Sequence, residues 1–151
     1  MAEIDVTKED YRISSDKQLL NVPVIHRFLS EESYWAKDIP LGTVLRQIEN
    51  SVCFGLFHKD EQIGFARVIT DKTTFAYLAD VFVLQPWRGK GLSKWLVEQI
   101  LAHPDLQGLR RWLLATSDAH GLYAQFGFTP LANPERIMQI HNPDVYTKKE
   151  E

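Results

Sequence analysis

Alternating apolar and polar positions divide the chain into short segments that predict strands in its middle part. Two apolar runs, Ser51–His58 and Gln62–Thr70, flank a short charged turn, which is a hairpin signal. After a second polar turn at Asp71–Thr73, the run Thr74–Leu84 predicts a third antiparallel strand. Residues 75–84 of that run are apolar at nearly every position, which is typical of a central strand that is covered on both faces.

Apolar residues at helical spacing predict helices before the hairpin and after the third strand. Pro23 falls inside the first of these helices and is expected to perturb it, because proline removes a backbone donor. The predicted helices are 17–29 with Ser15 or Asp16 as N-cap, Glu31–Ala36, Pro40–Ile48, 89–102, and a short helix from the cap Asp118 to Phe126 that Gly127 ends. The other predicted strands are Tyr11–Ser14, Arg111–Ala115 and Arg136–His141. The pattern predicts one α+β domain over 1–151, with a core of about 11–141 and a charged tail over 142–151.

Composition narrows the class of protein. With 151 residues, 44% of them hydrophobic and 25% charged, the chain is expected to be one soluble globular domain. A formal net charge of −3 argues against broad nucleic-acid binding, which needs a basic face. The first ten residues do not resemble a signal peptide, and no apolar run reaches the ~18 residues of a membrane span, so a cytoplasmic location is expected. The single cysteine, Cys53, excludes an internal disulfide and a cysteine metal cluster, and no metal is expected.

The most informative segment is residues 80–96, whose pattern predicts a buried strand, a cationic turn that contains glycine, and an amphipathic helix, in that order. A turn of this kind presents unpaired backbone N–H groups at a helix N-terminus, where the helix dipole also favours an anion. Arg88 and Lys90 add positive charge, and Gly89 and Gly91 leave the backbone open to a phosphate. The segment therefore predicts a site for a phosphorylated ligand.

Two motifs resemble the signatures of the GNAT superfamily of acyl-CoA-dependent N-acyltransferases. The cofactor signature of that family, Gln/Arg-x-x-Gly-x-Gly/Ala, appears as Arg88-Gly-Lys-Gly-Leu-Ser93, with Ser93 in place of glycine or alanine. Serine is small and favoured at a helix start, so pyrophosphate binding is expected to survive this departure. The second signature appears as Ala119-His-Gly-Leu-Tyr-Ala-Gln-Phe-Gly-Phe128, roughly 30 residues further on. The resemblance covers about residues 11–141.

The resemblance implies a fold, a cofactor and a set of contacts. It implies a mixed, mostly antiparallel twisted sheet of about six to seven strands flanked by about four helices. It implies acetyl-CoA as acyl donor, and it leaves a homodimer open, since dimers are common in the family. The residues that would contact acetyl-CoA are Val81, Phe82 and Val83 along the strand, Arg88, Gly89, Lys90, Gly91, Leu92 and Ser93 in the turn, and Thr116, where the family often has asparagine.

Acetyl transfer to an amine also needs groups that move protons. By resemblance, Tyr123 would protonate or hydrogen-bond the departing thiolate; otherwise it is a core aromatic residue. Asp80 is the first candidate base, because a carboxylate in an apolar strand is costly unless paired. The alternatives for Asp80 are a buried ion pair with Arg67 on the neighbouring strand, or a structural carboxylate with its hydrogen bonds satisfied. His120 is a second candidate base, since histidine titrates near neutral pH.

The acceptor is the least determined part of the prediction. Tyr34 and Trp35 lie where the family builds its acceptor wall and would suit a cationic amine, although an aromatic pair also packs between helices. The predicted function is transfer of an acetyl group to a primary amine of a small molecule or peptide. The alternative from another class is a catalytically silent acyl-CoA-binding module. A nucleotide-binding loop of the Walker type is excluded, because no Gly-Lys-Ser/Thr triplet occurs.

Overall fold

A computed structural model describes residues 3–147 of the chain. Six strands form one sheet in the order in which they occur in the sequence. Neighbouring strands are antiparallel, except that the fifth and sixth strands are parallel. The strands are β1 (Asp5–Lys8), β2 (Tyr11–Ser14), β3 (Val52–His58), β4 (Glu61–Thr70), β5 (Phe75–Val83) and β6 (Arg111–Leu114). The helices are α1 (Val22–Arg27), α2 (Leu41–Glu49), α3 (Leu92–Leu101) and α4 (His120–Ala124).

Two hydrophobic clusters cover the two faces of the sheet, because neighbouring residues of a strand point to opposite faces. In β3, Cys53 belongs to the cluster that contains α1 and α2, and Phe54 belongs to the cluster that contains α3 and α4. Phe82 and Val83 divide in the same way at the end of β5. The sheet is therefore sandwiched between two helical layers, as the α+β prediction requires.

The strands and helices between residues 41 and 114 agree with the prediction from the sequence. The β3–β4 hairpin, the central position of β5 between β4 and β6, and helices α2 and α3 all fall within a few residues of the predicted bounds. The buried face of α3 consists of Leu92, Leu96, Val97 and Ile100.

The first predicted helix is wrong in its extent. Residues 17–29 contain a 3-10 turn at Lys17–Leu19 and then α1, which begins after Asn21. The Asn21 side chain accepts a hydrogen bond from the backbone N–H of Val24, and Pro23 lies in the first turn, where its missing N–H costs nothing. Pro23 therefore helps to start a helix rather than perturbing one.

Three further predictions need correction. Glu31–Ala36 is not a separate helix: α1 continues as a π-helical turn over Phe28–Glu32, and residues 34–36 are irregular. Asp118 does not cap α4, since Ala119 occupies the cap position and no side-chain bond is made there. Arg136–His141 is not a strand, because within residues 3–147 it pairs with no strand of the sheet, and its first residue ends a 3-10 turn over Pro134–Arg136. Strand β1 was not predicted from the sequence, because its residues Asp5–Lys8 are mostly exposed and form no apolar pattern.

The predicted charged tail is only partly described. Residues 142–147 form exposed turns, except that Tyr146 is half-buried, and residues 148–151 lie outside the described part. Within residues 3–147, no helix is long and apolar enough to cross a membrane. The cytoplasmic location stays a prediction.

Candidate active site

A cleft opens where β5 and β6 separate. The two parallel strands pair from Phe75 and Arg111 as far as Leu78 and Leu114, where β6 ends while β5 continues to Val83. The cleft has a volume of about 590 Å³, which is within the range of small-molecule sites. It connects the layer of α1 and α2 with the layer of α3 and α4, because residues of both layers line it.

Asp80 marks a bulge in β5 at the mouth of this cleft. Phe65 pairs with Phe82 and Arg67 pairs with Ala79, so two residues of β5 lie opposite one residue of β4. Asp80 takes the left-handed conformation with φ of 54°, which is rare for a residue other than glycine. Strain of this kind is concentrated at functional sites, and here it lies two residues beyond Leu78, where the pairing of β5 with β6 ends.

The Asp80 carboxylate is buried and has two partners. Its Oδ2 accepts a hydrogen bond from Arg67 Nε at 2.7 Å, and its Oδ1 accepts one from Trp35 Nε1 at 2.7 Å. The Arg67 guanidinium also donates to Ser51 Oγ at 3.2 Å. The ion pair that the sequence offered as the alternative role of Asp80 is therefore present, and it lies in the lining of the cleft.

Tyr123 reaches the cleft from α4. Its ring is buried against Phe128, with the ring centroids 5.8 Å apart. Burial, together with the nearby Tyr34 and Asp118, raises the pKa of the Tyr123 phenol to about 12. Its hydroxyl makes no hydrogen bond to another residue within 3–147, and it is not sealed from solvent. A protonated phenol with a free donor therefore borders the cleft at neutral pH.

The turn before α3 has the geometry of an anion site. Gly89 and Gly91 have φ of 80° and 77°, which strongly favours glycine at both positions. Within residues 3–147, the backbone N–H groups of residues 89–94 have no acceptor. The Arg88 side chain donates from Nε to the carbonyl oxygen of Val83 at 2.7 Å and so fixes the turn against the end of β5. Ser93 does not cap α3, since Gly91 holds the cap position and no side-chain bond is made there.

The other predicted cofactor contacts divide into backbone and side-chain roles. Phe82 and Val83 are buried, and Phe82 stacks on Phe28 with ring centroids 3.9 Å apart, so only their backbone is available to a ligand. Val81 lines the cleft. Thr116 also lines it, and its Oγ1 accepts a hydrogen bond from Ala119 N at 3.0 Å, which shapes the loop before α4.

The structure brings the two predicted acceptor residues to the same cleft and leaves the second candidate base outside it. Tyr34 and Trp35 line the cleft in a T-shaped pair with ring centroids 5.0 Å apart. The Tyr34 hydroxyl accepts a hydrogen bond from Ser117 N at 3.2 Å and thus joins the two walls. His120 is exposed and does not line the cleft.

Several lining residues were missed by the sequence reasoning, among them Arg67, Asp118 and Tyr146. Arg67 was considered only as a partner of Asp80, although it lines the cleft itself. Tyr146 was assigned to the charged tail, but its ring lines the cleft and packs against the cluster of α1 and α2. Since Tyr146 lies more than sixty residues after β5 in the chain, no local pattern connects it with the site. Within residues 3–147, no cluster of three or more His, Cys, Asp or Glu side chains is arranged to hold a metal ion.

Comparison with known protein families and relatives gives a consistent result. Residues 22–128 match the model of the acetyltransferase (GNAT) family. A protein of Gibberella zeae that bears the name of an acetyltransferase is 34% identical, in an alignment that covers 79% of this chain and 78% of the relative.

Solved structures share the fold. A GNAT-family acetyltransferase of Xanthomonas campestris pv. campestris is 55% identical, with a TM-score of 0.89 over 91% of this chain and 97% of that one. An acetyltransferase of Clostridium acetobutylicum, solved with acetyl-CoA, is 14% identical, with a TM-score of 0.63 over 87% of this chain and 94% of that one. At that identity the second likeness concerns the fold alone.

Proposed function

We propose, from the premise that this chain belongs to the GNAT family of acetyltransferases, that it transfers an acetyl group from acetyl-CoA to a primary amine. Family membership supports acyl-CoA-dependent acetyl transfer in general. The primary amine, direct transfer in a ternary complex and the roles of single residues are proposals. The observation that carries them is the continuity of three features: the open turn before α3, the unpaired edge of β5, and the cleft lined by Tyr123 and Asp80.

The residues present fit the donor. The pyrophosphate would be held by the free N–H groups of residues 89–94 and by the positive charge of Arg88 and Lys90, because phosphate is favoured at a helix N-terminus. The pantetheine arm would pair with the backbone of β5 beyond Leu78, where β6 no longer occupies that edge. Such an arm carries amide groups, which can replace the missing strand.

Bound acetyl-CoA supplies a thioester carbonyl, at which a bond to the amine nitrogen forms while the bond to sulfur breaks. An ammonium group must first lose one proton to become a nucleophile, and the nitrogen loses a second proton as the amide forms. The departing thiolate must gain a proton or be stabilised. The carbonyl oxygen gains negative charge during attack, and a backbone N–H of the bulged segment 80–84 is the proposed donor to it.

Tyr123 is the proposed hydrogen-bond donor to the departing sulfur. Its pKa of about 12 lies roughly 3.5 units above that of an ordinary thiol, so complete proton transfer to a thiolate would be uphill by about 5 kcal/mol. A charge-assisted hydrogen bond needs no such transfer and still favours bond breaking. The thiolate then takes its proton from water after release.

Asp80 is the proposed acceptor of the amine proton, with water as the alternative. A carboxylate offers about four lone-pair positions, and Arg67 and Trp35 use two of them. The remaining positions are available to an amine in the cleft. The exposed position of His120 does not support a role for it as base.

The test is a screen of primary amines with the purified protein and acetyl-CoA, in which released CoA thiol and acetylated amine are both measured. Equal amounts of the two products, formed only when amine and protein are present, support the proposal. Tight binding of acetyl-CoA without amine-dependent thiol release from any class of amine would instead support the silent binding module.

A further inference from the structure

The acceptor end of the cleft has an aromatic lining that is unusually exposed. Tyr34 and Trp35 are 62% and 42% exposed, although they belong to the residue types that proteins prefer to bury. Trp35 is fixed from behind by its hydrogen bond to Asp80 and by the ring of Phe28, with centroids 6.3 Å apart. Two adjacent, fixed and exposed aromatic rings in a cleft provide a surface for an apolar or cationic ligand.

The charges around the cleft define how many positive groups a ligand can carry. Three charged residues line it within the described part of the chain: Arg67, Asp80 and Asp118. The first two neutralise each other in a buried ion pair, so Asp118 remains as the single uncompensated charge. A ligand with one ammonium group complements this balance. A polyamine would leave its further charges without partners, and a ligand carboxylate would add to the negative charge.

Tyr146, close to the C-terminal end of the described residues, forms a further part of the cleft wall. Every other residue of 129–147 is exposed, and Tyr146 alone is half-buried. Two turn hydrogen bonds hold the backbone around it, from Val145 N to Asn142 O at 3.4 Å and from Thr147 N to Asp144 O at 3.0 Å. Within residues 129–147, the Tyr146 ring thus packs against the hydrophobic cluster of α1 and α2, and the same ring lines the cleft.

We infer that the acceptor is a monoamine with an aromatic or similarly sized apolar body, and that Tyr146 forms part of the wall that holds this body. This inference rests on the proposed function, because it names the acceptor class of the same site. The apolar body would lie against Tyr34, Trp35 and Tyr146, with its single ammonium group near the aromatic faces and Asp118.

The test measures amine binding without chemistry, by calorimetry on the protein saturated with CoA, which cannot donate an acetyl group. The probes are 2-phenylethylamine, phenylalanine, which adds a carboxylate, and spermidine, which adds further ammonium groups. We expect 2-phenylethylamine to bind at least about tenfold more tightly than the other two probes. Tyr146→Ala should weaken this binding about tenfold, while Tyr146→Phe, which keeps the ring, and Val145→Ala, at the exposed neighbouring position, should change it less than about threefold.

Two results would overturn the inference: spermidine or phenylalanine binding as tightly as 2-phenylethylamine, or Tyr146→Ala binding 2-phenylethylamine like the wild type. The failure of the proposed function would be seen differently. If no amine releases thiol from acetyl-CoA, transfer fails, although the order of amine binding can still hold. If other amines are acetylated and 2-phenylethylamine does not bind, the transfer reaction stands and the acceptor class is wrong.

Discussion

Replacing Tyr123 by phenylalanine tests the proposed chemistry with a minimal change of structure. The substitution removes one hydroxyl that has no hydrogen-bond partner within residues 3–147, so no buried polar group loses its partner. The ring and its contact with Phe128 are retained. We therefore expect the free energy of unfolding to change by less than about 0.5 kcal/mol.

The expected effect on the rate follows from the donor that is lost. A hydrogen bond to a charged group contributes about 1.5 to 3 kcal/mol, which corresponds to roughly 10- to 150-fold in rate. Because this bond forms to sulfur only as the thioester breaks, the loss should fall on kcat, with the affinity for acetyl-CoA unchanged. Burial raises the pKa of the phenol to about 12, so its proton stays bound below that pH and is lost only above it. The wild-type rate should then show no loss from Tyr123 between about pH 7 and 10.

The assay follows thiol release under saturating acetyl-CoA and amine, with acetyl-CoA affinity measured separately by calorimetry. Tyr11→Phe is the matched control, since Tyr11 is a half-buried tyrosine packed against His58 and Trp87, outside the cleft. A kcat for Tyr123→Phe equal to that of the control would remove Tyr123 from the mechanism. A fall in the wild-type rate centred near pH 10 would contradict the buried, raised-pKa phenol.

Three further predictions concern the turn, the ion pair and the cysteine. Gly91→Ala should disfavour the left-handed turn by about 1–2 kcal/mol. Because binding requires this conformation and the free variant can leave it, acetyl-CoA binding measured by calorimetry should weaken roughly 5- to 30-fold. Gly42→Ala is the control that should bind unchanged, and equal affinities of the two variants would refute the role of the turn. Asp80→Asn should lower the free energy of unfolding, measured by urea denaturation, by about 3 kcal/mol, because it leaves the Arg67 guanidinium buried without its counter-charge. A loss of less than about 1 kcal/mol would contradict a stabilising role of that ion pair. Burial raises the pKa of Cys53 to about 11, so about one thiol in a thousand is ionised at pH 8. A thiol reagent should therefore label the protein only after unfolding, and rapid labelling of the native protein would contradict this prediction.

Local patterns in the sequence were sufficient where local chemistry decides the structure. The hairpin of β3 and β4 follows from two apolar runs around a charged turn, and α3 follows from its buried face. The turn before α3 was predicted because Gly89 and Gly91 leave its backbone open to an anion, and both residues take positive φ in the structure. These features depend on neighbouring residues alone, so the sequence contains what is needed to predict them.

Other features depend on partners that are distant in the chain. Strand β1 has few buried residues and is defined by its pairing with β2, which no apolar alternation reveals. The segment Arg136–His141 alternates apolar and polar residues but finds no strand to pair with, and Met138 and Ile140 are almost fully exposed. Periodicity gives a propensity for strand, and pairing decides whether a strand forms.

The candidate site shows the same division. The motifs located the turn and Tyr123, whereas the bulge at Asp80 arises from a register shift between two strands and is invisible in one strand's sequence. The hydrogen bond from Trp35 to Asp80 and the return of Tyr146 to the cleft join residues 45 and more than 60 positions apart. Such contacts follow from the tertiary fold and not from any local pattern.

The most direct test of the account is a calorimetric titration of the purified protein with acetyl-CoA, with ATP as the control ligand. ATP has phosphates for the turn before α3 but no pantetheine arm for the open edge of β5. We expect one site with a Kd in the micromolar range for acetyl-CoA, and binding of ATP at least about tenfold weaker. No binding of acetyl-CoA, or equal binding of ATP, would contradict the claim that the turn and the strand edge together form an acetyl-CoA site.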